Sequence, residues 1–211
     1  MYVVQSDRFL YRLQKAVLVN QKKEGIKEME HKGTQHLETE RLILRRFTLE
    51  DAEAMYENWA NDDEVTKFIS WHTHQNIDVT RSVLGDWVSH YPDDDFYQWA
   101  IVPKEGDGRP VGSIGAVKVF DKISAVQIGY CIGRKWWHRG ITSEALKALI
   151  VFFFDEVGVE RIEAIHDTRN PNSGGVMEKC GMKHEGTLRR AFKGNSGIGD
   201  VKIYSILKSD L

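Results

Sequence analysis

The stretch of sequence that decides the fold is residues 128–145, which read IGYCIGRKWWHRGITSEA. Its beginning belongs to a strand-like run, and its end opens a segment in which apolar residues recur with the period of a helix. Between the two lies a loop with three cations, Arg134, Lys135 and Arg139, and this loop ends at Gly140. The stretch therefore predicts a strand, a basic loop and a helix that begins near residue 140.

The start of this predicted helix has the chemistry of an anion site. The first turn of a helix carries unpaired backbone N–H groups and a positive potential. Gly140 lets a bulky anion approach the backbone, and the hydroxyls of Thr142 and Ser143 add donors. A phosphate or pyrophosphate site is thus favoured about as much as a capped core helix with surface cations. A Walker loop is excluded, because the pattern Gly-x-x-x-x-Gly-Lys-Ser/Thr does not occur.

Outward from this stretch, the chain alternates between the two periodicities that define strands and helices. The spacing predicts helices over residues 48–59, 76–90, 141–158 and 171–180, and strands over 41–45, 97–102, 111–119, 125–132, 161–166, 182–188 and 201–207. Turn residues near 106–108 and 121–122 predict an antiparallel meander of the central strands. A right-handed strand–helix–strand unit follows, so the fold class is a mixed α/β domain.

Composition excludes several classes of protein. The chain has 211 residues, 41% of them hydrophobic, which is typical of a globular domain. A net charge of −2 offers no basic field for nucleic acid. The longest apolar run, residues 148–154, is about a third of the roughly 20 residues of a membrane span. Two cysteines exclude a disulfide scaffold. We therefore expect a cytoplasmic protein that binds neither nucleic acid nor membrane.

The first 36 residues differ from the rest. Phe9, Leu13 and Val17 lie at helical spacing, and scattered charge follows them. The apolar run at residues 16–19 is too short for a secretory signal. We predict an N-terminal extension, a helix and a polar linker, over residues 1–36, and one domain over residues 37–211.

Several segments carry a family resemblance. Residues 137–142, Trp-His-Arg-Gly-Ile-Thr, resemble the acyl-CoA signature of the GNAT N-acetyltransferase superfamily, Gln/Arg-x-x-Gly-x-Gly/Ala, at its central glycine. Further segments are similar, in order, to the ribosomal-protein N-terminal (alanine/serine) acetyltransferase branch: residues 37–45, 63–71, 128–130, 137–146, 170–173, 178–181, 185–189 and 200–204. The resemblance implies the GNAT acyl-CoA N-acyltransferase fold, a central, mostly antiparallel sheet with two splayed parallel strands and flanking helices.

The resemblance also implies acetyl-CoA as cosubstrate, bound between the strands that end at Ile132 and His166. It places the pantetheine amides on the backbone of Tyr130, Cys131 and Ile132, with an N–H near Cys131 polarising the thioester carbonyl. The phosphates would lie near Arg134 or Lys135 and on Arg139, Gly140, Ile141, Thr142 and Ser143, and Asn170 would touch the cofactor arm. No metal is expected, because His72 and His74 lack further ligands.

By the same resemblance, Ser173 is the general acid that meets the leaving sulfur. Asn170 and Pro171 also have a structural explanation, as N-cap and first residue of a helix. The general base is not identified. Gln127 stands where many relatives carry a glutamate on the cofactor strand. Phe192 stands where some relatives carry another glutamate that serves as the base. Glu185, Asp200 and a water-linked carboxylate of the first two helices stay open. Cys131 and Cys180 are expected to be packing residues.

The missing base favours an acceptor amine of low pKa. An α-amine has a pKa of about 7.7–8.0, so its deprotonation at pH 7 costs about 1–1.4 kcal/mol, against about 4.6 kcal/mol for a lysine. We therefore expect an enzyme that acetylates a protein N-terminal α-amine by direct transfer. A small-molecule (antibiotic or polyamine) acetyltransferase and a non-catalytic acyl-CoA-binding domain are the alternatives. The resemblance also implies a homodimer.

Overall fold

The structure, a computed structural model, describes residues 28–211. The predicted helix with Phe9, Leu13 and Val17 lies outside the described residues. Part of the predicted linker contacts the domain: the Thr34 hydroxyl donates to the carbonyl of Phe96 at 2.9 Å, and Thr34 is buried. The predicted domain boundary at residue 37 stays a prediction.

Eight strands and five α-helices form the described part of the chain. The strands are β1 (Leu37–Glu38), β2 (Leu42–Arg45), β3 (Gln98–Pro103), β4 (Gly112–Phe120), β5 (Ala125–Ile132), β6 (Arg161–Asp167), β7 (Lys183–Gly194) and β8 (Gly197–Leu207). The helices are α1 (Ala52–Met55), α2 (Asp63–Thr66), α3 (Ile77–His90), α4 (Ile141–Phe152) and α5 (Pro171–Lys179). Wider turns continue two of them, Tyr56–Ala60 after α1 and Phe153–Val157 after α4.

All eight strands form one sheet in the order β1-β2-β3-β4-β5-β6-β8-β7. Every neighbouring pair is antiparallel except β5 and β6, which are parallel and are joined through α4. The predicted meander corresponds to β3, β4 and β5. The mixed α/β fold with one parallel pair in a mostly antiparallel sheet is therefore confirmed.

Both faces of the sheet carry an apolar core, because successive strand residues point to opposite faces. Ile101 belongs to the cluster that α4 covers with Leu146 and Leu149, whereas its neighbour Val102 belongs to a second cluster beneath α1 and α3, which includes Trp59. Within residues 28–211, no helix is long and apolar enough to cross a membrane.

The closing strands are longer than the sequence predicts. Predicted strands 182–188 and 201–207 are observed as β7 and β8, which form a hairpin that turns between Gly194 and Gly197. β7 is one of the two edge strands of the sheet, and nine of its twelve residues are exposed. An edge strand with solvent on both faces has no hydrophobic alternation, so periodicity could not mark its full length.

Candidate active site

The two parallel strands separate at the centre of the sheet. Residues 125–127 of β5 pair with residues 161–163 of β6, and this is the whole of their pairing. Beyond it β5 stays with β4, while β6 pairs with β8. On the side of β6, the backbone of residues 128–132 therefore has no neighbouring strand in the described chain. This open edge can pair with the amides of a bound molecule.

A cavity of about 410 Å³ opens at this gap. Nine of the predicted site residues line it: Tyr130, Cys131, Ile132, Gly140, Ile141, Thr142, Ser143, Asn170 and Ser173. Their chemical roles stay predictions, but the structure brings all nine to one place. We refer to the lining within residues 130–143 as the β5–α4 wall.

Arg134 and Arg139 do not line the cavity. The Arg134 Nε lies 2.5 Å from the Asp62 carboxylate, and the Arg139 carbonyl accepts a hydrogen bond from Arg41. Sequence spacing could not reveal either partner, because each is more than seventy residues away along the chain. The predicted phosphate contacts of Arg134 and Arg139 stay predictions.

The helix start has free donors. Gly140 caps α4 with a left-handed φ of 75°, which glycine adopts without strain. The first intrahelical bond runs from the Glu144 N–H to the Gly140 carbonyl at 3.0 Å. Residues 141–143 precede that bond, so their N–H groups have no intrahelical acceptor, and all three residues line the cavity. Such N–H groups at the start of a helix can bind an anion. Thr142 and Ser143 are buried there.

Ser173 and Tyr130 form a hydroxyl pair inside the cavity. The Tyr130 hydroxyl lies 3.0 Å from Ser173 Oγ and 2.8 Å from the Ser173 carbonyl oxygen. Burial raises the pKa of Tyr130 above its ordinary value, although the hydrogen bond from Ser173 opposes the shift. The phenol therefore keeps its proton at neutral pH. The sequence placed only the Tyr130 backbone in the site, and nothing in the local pattern signals this side-chain contact.

Asn170 occupies the N-cap position of α5, as predicted, but its side chain does not cap the helix. Asn170 precedes α5 and lines the cavity, but its side chain makes no capping hydrogen bond. Its φ of −113° and ψ of 69° lie outside the extended conformation that aims an N-cap side chain at the helix. Pro171 does occupy the first turn of α5, as predicted.

Both thiols are protonated; Cys180 is buried and Cys131 is half-buried. Burial raises the pKa of Cys131 to about 12 and that of Cys180 to about 11. The Cys180 thiol donates to the Ser143 carbonyl at 3.3 Å. Neither is a nucleophile at neutral pH, because the thiolate is the reactive form. In the part of the chain that the structure describes, no three His, Cys, Asp or Glu residues are grouped as they would be around a metal ion.

The place of a general base is occupied by an amide. Gln127 is buried on β5, and its Nε2 donates to Glu163 Oε1 at 2.9 Å. The other oxygen of Glu163 accepts from the Arg161 guanidinium at 3.1 and 3.2 Å. With both oxygens engaged, Glu163 is a weak acceptor for a substrate proton.

Glu185 is also a poor base. Arg161 binds it with two hydrogen bonds of 2.7 Å, and the Ser205 hydroxyl donates at 2.5 Å. The Arg161 guanidinium first, and the Ser205 hydroxyl next, hold the pKa of Glu185 at about 2. The second candidate, Asp200, accepts from the Arg190 N–H at 2.8 Å, and neither acid lines the cavity.

The opposite side of the cavity is formed by α2 and the residues after it. Glu64, Val65, Phe68 and Ile69 make up this lining, which we refer to as the α2 wall. Among the described residues, Glu64 is the only carboxylate that lines the cavity. From the sequence, one candidate for the general base was an unspecified carboxylate of the first two helices. It could not be assigned to a residue, because no local pattern shows which helix faces the gap.

The β7–β8 hairpin supports the α2 wall. The Asn195 side-chain amide donates to the carbonyls of Thr66 and Trp71 at 2.9 and 2.8 Å. Below it, the Arg169 guanidinium lies 5.7 Å from the centre of the Phe68 ring and binds the buried Asp167 carboxylate. Arg169 holds the pKa of Asp167 below its ordinary value. The sequence missed this junction, since its parts come from distant segments.

Comparison with known proteins identifies the family. The Acetyltransferase (GNAT) domain matches residues 41–183, about two thirds of the chain. The chain belongs to the GNAT acetyltransferase family. Enzymes of this family use acetyl-CoA and an amine acceptor. The resemblance drawn from the sequence is thereby confirmed, and the protein is an N-acetyltransferase by family.

The relatives of this GNAT protein differ in how much their names say. Bacillus subtilis (strain 168) Uncharacterized N-acetyltransferase YoaA is 32% identical over 82% of this chain and 96% of its own length. Ribosomal protein uS5-alanine N-acetyltransferase of Escherichia coli (strain K12) is 27% identical over 71% of this chain and 79% of its own. A crystal structure of a GNAT acetyltransferase from Bacillus anthracis aligns with a TM-score of 0.72 and 27% identity, over 83% of this chain and 99% of its own.

Proposed function

We propose that this GNAT protein transfers the acetyl group of acetyl-CoA to a protein N-terminal α-amine, directly and within a ternary complex. The observation that carries the proposal is the Ser173–Tyr130 hydroxyl pair, which lies in the same cavity as the open edge of β5. The cavity thus holds a proton donor for the leaving thiolate of coenzyme A. It also holds a strand edge whose backbone can pair with the amides of the pantetheine arm.

The residues of the β5–α4 wall fit acetyl-CoA. The open backbone of residues 130–132 can pair with pantetheine amides, and the N–H groups of residues 141–143 can bind the pyrophosphate. Gly175, which also lines the cavity, has no atom within 4 Å of the position of a Cβ, so space remains beside the helix. Acetyl-CoA would supply the thioester. Acetyl-CoA and new protein N-termini meet in the cytoplasm, which we propose as the location.

The hydroxyl pair can move the proton that the reaction requires. When the amine nitrogen attacks the thioester carbonyl carbon, the carbon–sulfur bond breaks and the sulfur needs a proton. Ser173 Oγ gives its proton to the sulfur and takes one from the Tyr130 hydroxyl, which regains it from solvent through the cavity. The attacking amine releases its own extra proton to water, because Gln127 is an amide and the oxygens of Glu163 and Glu185 are already bound by hydrogen-bond donors.

The absence of a free base in that position supports an acceptor of low pKa. An α-amine is about 10% neutral at pH 7, whereas a lysine is neutral in fewer than about one molecule in a thousand. The E. coli relative, whose name assigns it the alanine of ribosomal protein uS5, supports the same class of acceptor. The Glu64 side chain, in the α2 wall, places a carboxylate where an incoming amine would enter the cavity.

A thiol-release assay with purified protein tests the proposal. The acceptors are peptides with N-terminal alanine or serine, the same peptides blocked at the N-terminus but carrying an internal lysine, a polyamine and an aminoglycoside. We expect the free α-amine peptides to be acetylated fastest. Faster turnover of the polyamine or the aminoglycoside would show that the acceptor is a small molecule and not a protein N-terminus. Binding of acetyl-CoA without turnover of any acceptor would instead indicate an acyl-CoA-binding domain.

A further inference from the structure

The turn between β1 and β2 is hydrogen-bonded to the start of α4. Arg41 donates from its backbone N–H to Glu144 Oε1 at 2.9 Å and from its guanidinium to Glu144 Oε2 at 2.6 Å. The Thr39 hydroxyl adds a third donor to Glu144 at 2.5 Å. A further guanidinium N–H of Arg41 reaches the Arg139 carbonyl at 3.1 Å. One exposed side chain thus holds both the loop before α4 and the first turn of the helix.

The loop that Arg41 holds has an uncommon backbone. His138 and Gly140 both have a left-handed φ, 60° and 75°, and the value is costly for a residue with a Cβ such as His138. Such a conformation persists only where the surroundings impose it. The carbonyl and N–H of a trans peptide point in opposite directions, so the bond to the Arg139 carbonyl also fixes the direction of the Gly140 N–H. Gly140 lines the cavity.

Arg41 also neutralises a charge that would oppose an anion. Glu144 lies in the first turn of α4, where a carboxylate competes with a bound phosphate for the positive end of the helix. Burial acts to raise the pKa of Glu144, but the hydrogen bonds from Thr39 and Arg41 outweigh it, so the pKa lies below its ordinary value. Glu144 therefore stays charged, and the Arg41 guanidinium is the cation that balances it.

We propose that Arg41 is a positioning residue for the pyrophosphate of acetyl-CoA, acting through the Arg139 carbonyl and through Glu144. Arg41 itself does not line the cavity, so it shapes the anion site from behind. The inference rests on the proposed function, because it takes the β5–α4 wall as the cofactor side of the cavity.

The test compares Arg41→Gln and Arg41→Lys with wild type by calorimetric titration of acetyl-CoA and by steady-state kinetics. Charge-assisted hydrogen bonds of this kind predict that Arg41→Gln raises the Kd and KM for acetyl-CoA about tenfold. The kcat at saturation and the KM for the acceptor should stay within about twofold. Arg41→Lys should recover part of the affinity, since an ammonium can pair with Glu144 but lacks the planar fork that also reaches Arg139.

Arg109→Gln is the matched control, because Arg109 forms a similar exposed pair with Glu57 at 2.6 Å and does not line the cavity. It should leave the Kd for acetyl-CoA unchanged. Hydrogen exchange of the free protein gives a readout that needs no ligand: Arg41→Gln should speed exchange in residues 137–144 and leave β2 and β3 protected.

The outcomes separate the two proposals. Wild-type affinity for acetyl-CoA in Arg41→Gln, or an equal loss in Arg109→Gln, would overturn the positioning role while the proposed function stands. If wild-type protein fails to bind acetyl-CoA at millimolar concentration, the proposed function fails first and the positioning role falls with it.

Discussion

The two walls of the cavity are built in opposite ways. The β5–α4 wall comes from one continuous stretch, in which strand, loop and helix follow each other within residues 130–143. The α2 wall comes from a short helix and loop that are held in place by the β7–β8 hairpin, more than 120 residues further along the chain. A binding surface that is local in sequence carries its own signature, whereas a surface assembled from distant segments does not.

The two walls also offer different chemical groups to a ligand. The β5–α4 wall offers backbone donors and an open strand edge, which suit the pyrophosphate and the pantetheine amides of acetyl-CoA. The α2 wall offers Glu64, Phe68 and Ile69, which are side chains and can differ between relatives without disturbing the sheet. We therefore expect substitutions on the first wall to change cofactor parameters and substitutions on the second to change acceptor parameters.

The largest expected effect is on Ser173, which lines the cavity from α5 and belongs to neither wall. Ser173→Ala should lower kcat about 100-fold, because a positioned acid contributes at least this much, and should leave the Kd for acetyl-CoA within about twofold. Tyr130→Phe should lower kcat about tenfold by removing the partner hydroxyl. Steady-state kinetics and calorimetric titration measure the two quantities. Ser89→Ala, on the exposed side of α3, is the control, and turnover of Ser173→Ala at the wild-type rate would contradict the acid role.

Two adjacent glycines of α5 should respond in opposite directions. A Cβ at Gly174 would lie 2.6 Å from His166 Nε2, whereas a Cβ at Gly175 would meet no atom within 4 Å. Gly174→Ala should lower the free energy of unfolding by about 1–3 kcal/mol through overpacking against a buried ring. Gly175→Ala should raise it by about 0.4–1 kcal/mol, since alanine restricts the unfolded chain. Urea denaturation compares them, and equal midpoints would contradict the packing of α5 on β6.

The support of the α2 wall can be weakened without touching the cofactor side. Asn195→Ala removes two hydrogen bonds between the hairpin and the loop after α2. Because the lost hydrogen bonds are worth about 1 kcal/mol, we expect the KM for the acceptor to rise about fivefold. The Kd for acetyl-CoA should stay unchanged. Arg41→Gln should show the opposite pattern, a higher Kd for acetyl-CoA with little change in the KM for the acceptor. An acetyl-CoA defect in Asn195→Ala would show that the walls are not independent.

The smallest effect concerns the ion pair between Arg161 and Glu185. The native pKa of Glu185, about 2, lies below the ordinary value of a glutamate. Its ion pair therefore stabilises the fold fully above a pH of about 4.5, and this contribution is lost as the pH falls towards about 2. Glu185→Gln should flatten that pH dependence. Because Glu185 is partly exposed, the difference should stay below about 1 kcal/mol. Urea midpoints at about pH 6 and about pH 3 measure it, and parallel curves for both proteins would contradict the pairing.

The helices and central strands follow from the sequence because their residues alternate between core and solvent. The predicted strand 125–132 has the observed bounds, and the helix predicted to begin near Gly140 begins at Ile141. The hairpin tip was missed because an edge strand has no buried face to impose a pattern. The capping role of the Asn170 side chain failed for a different reason: the residue type suits a cap, but the backbone conformation that aims it is set by the surrounding fold.

By itself, the sequence determined the mixed α/β fold and the GNAT family, because these depend on local periodicity and on short motifs in a fixed order. It also named the nine residues that the cavity brings together, seven of them from the stretch 130–143 and two, Asn170 and Ser173, from a motif at the start of α5. Only the tertiary structure decided which side chains meet across the gap. Tyr130 reaches Ser173, Arg41 reaches Glu144 and Asn195 reaches Thr66, although the partners are 43, 103 and 129 positions apart in the sequence. Such contacts follow from the order in which the strands pair, which no single stretch of the chain records.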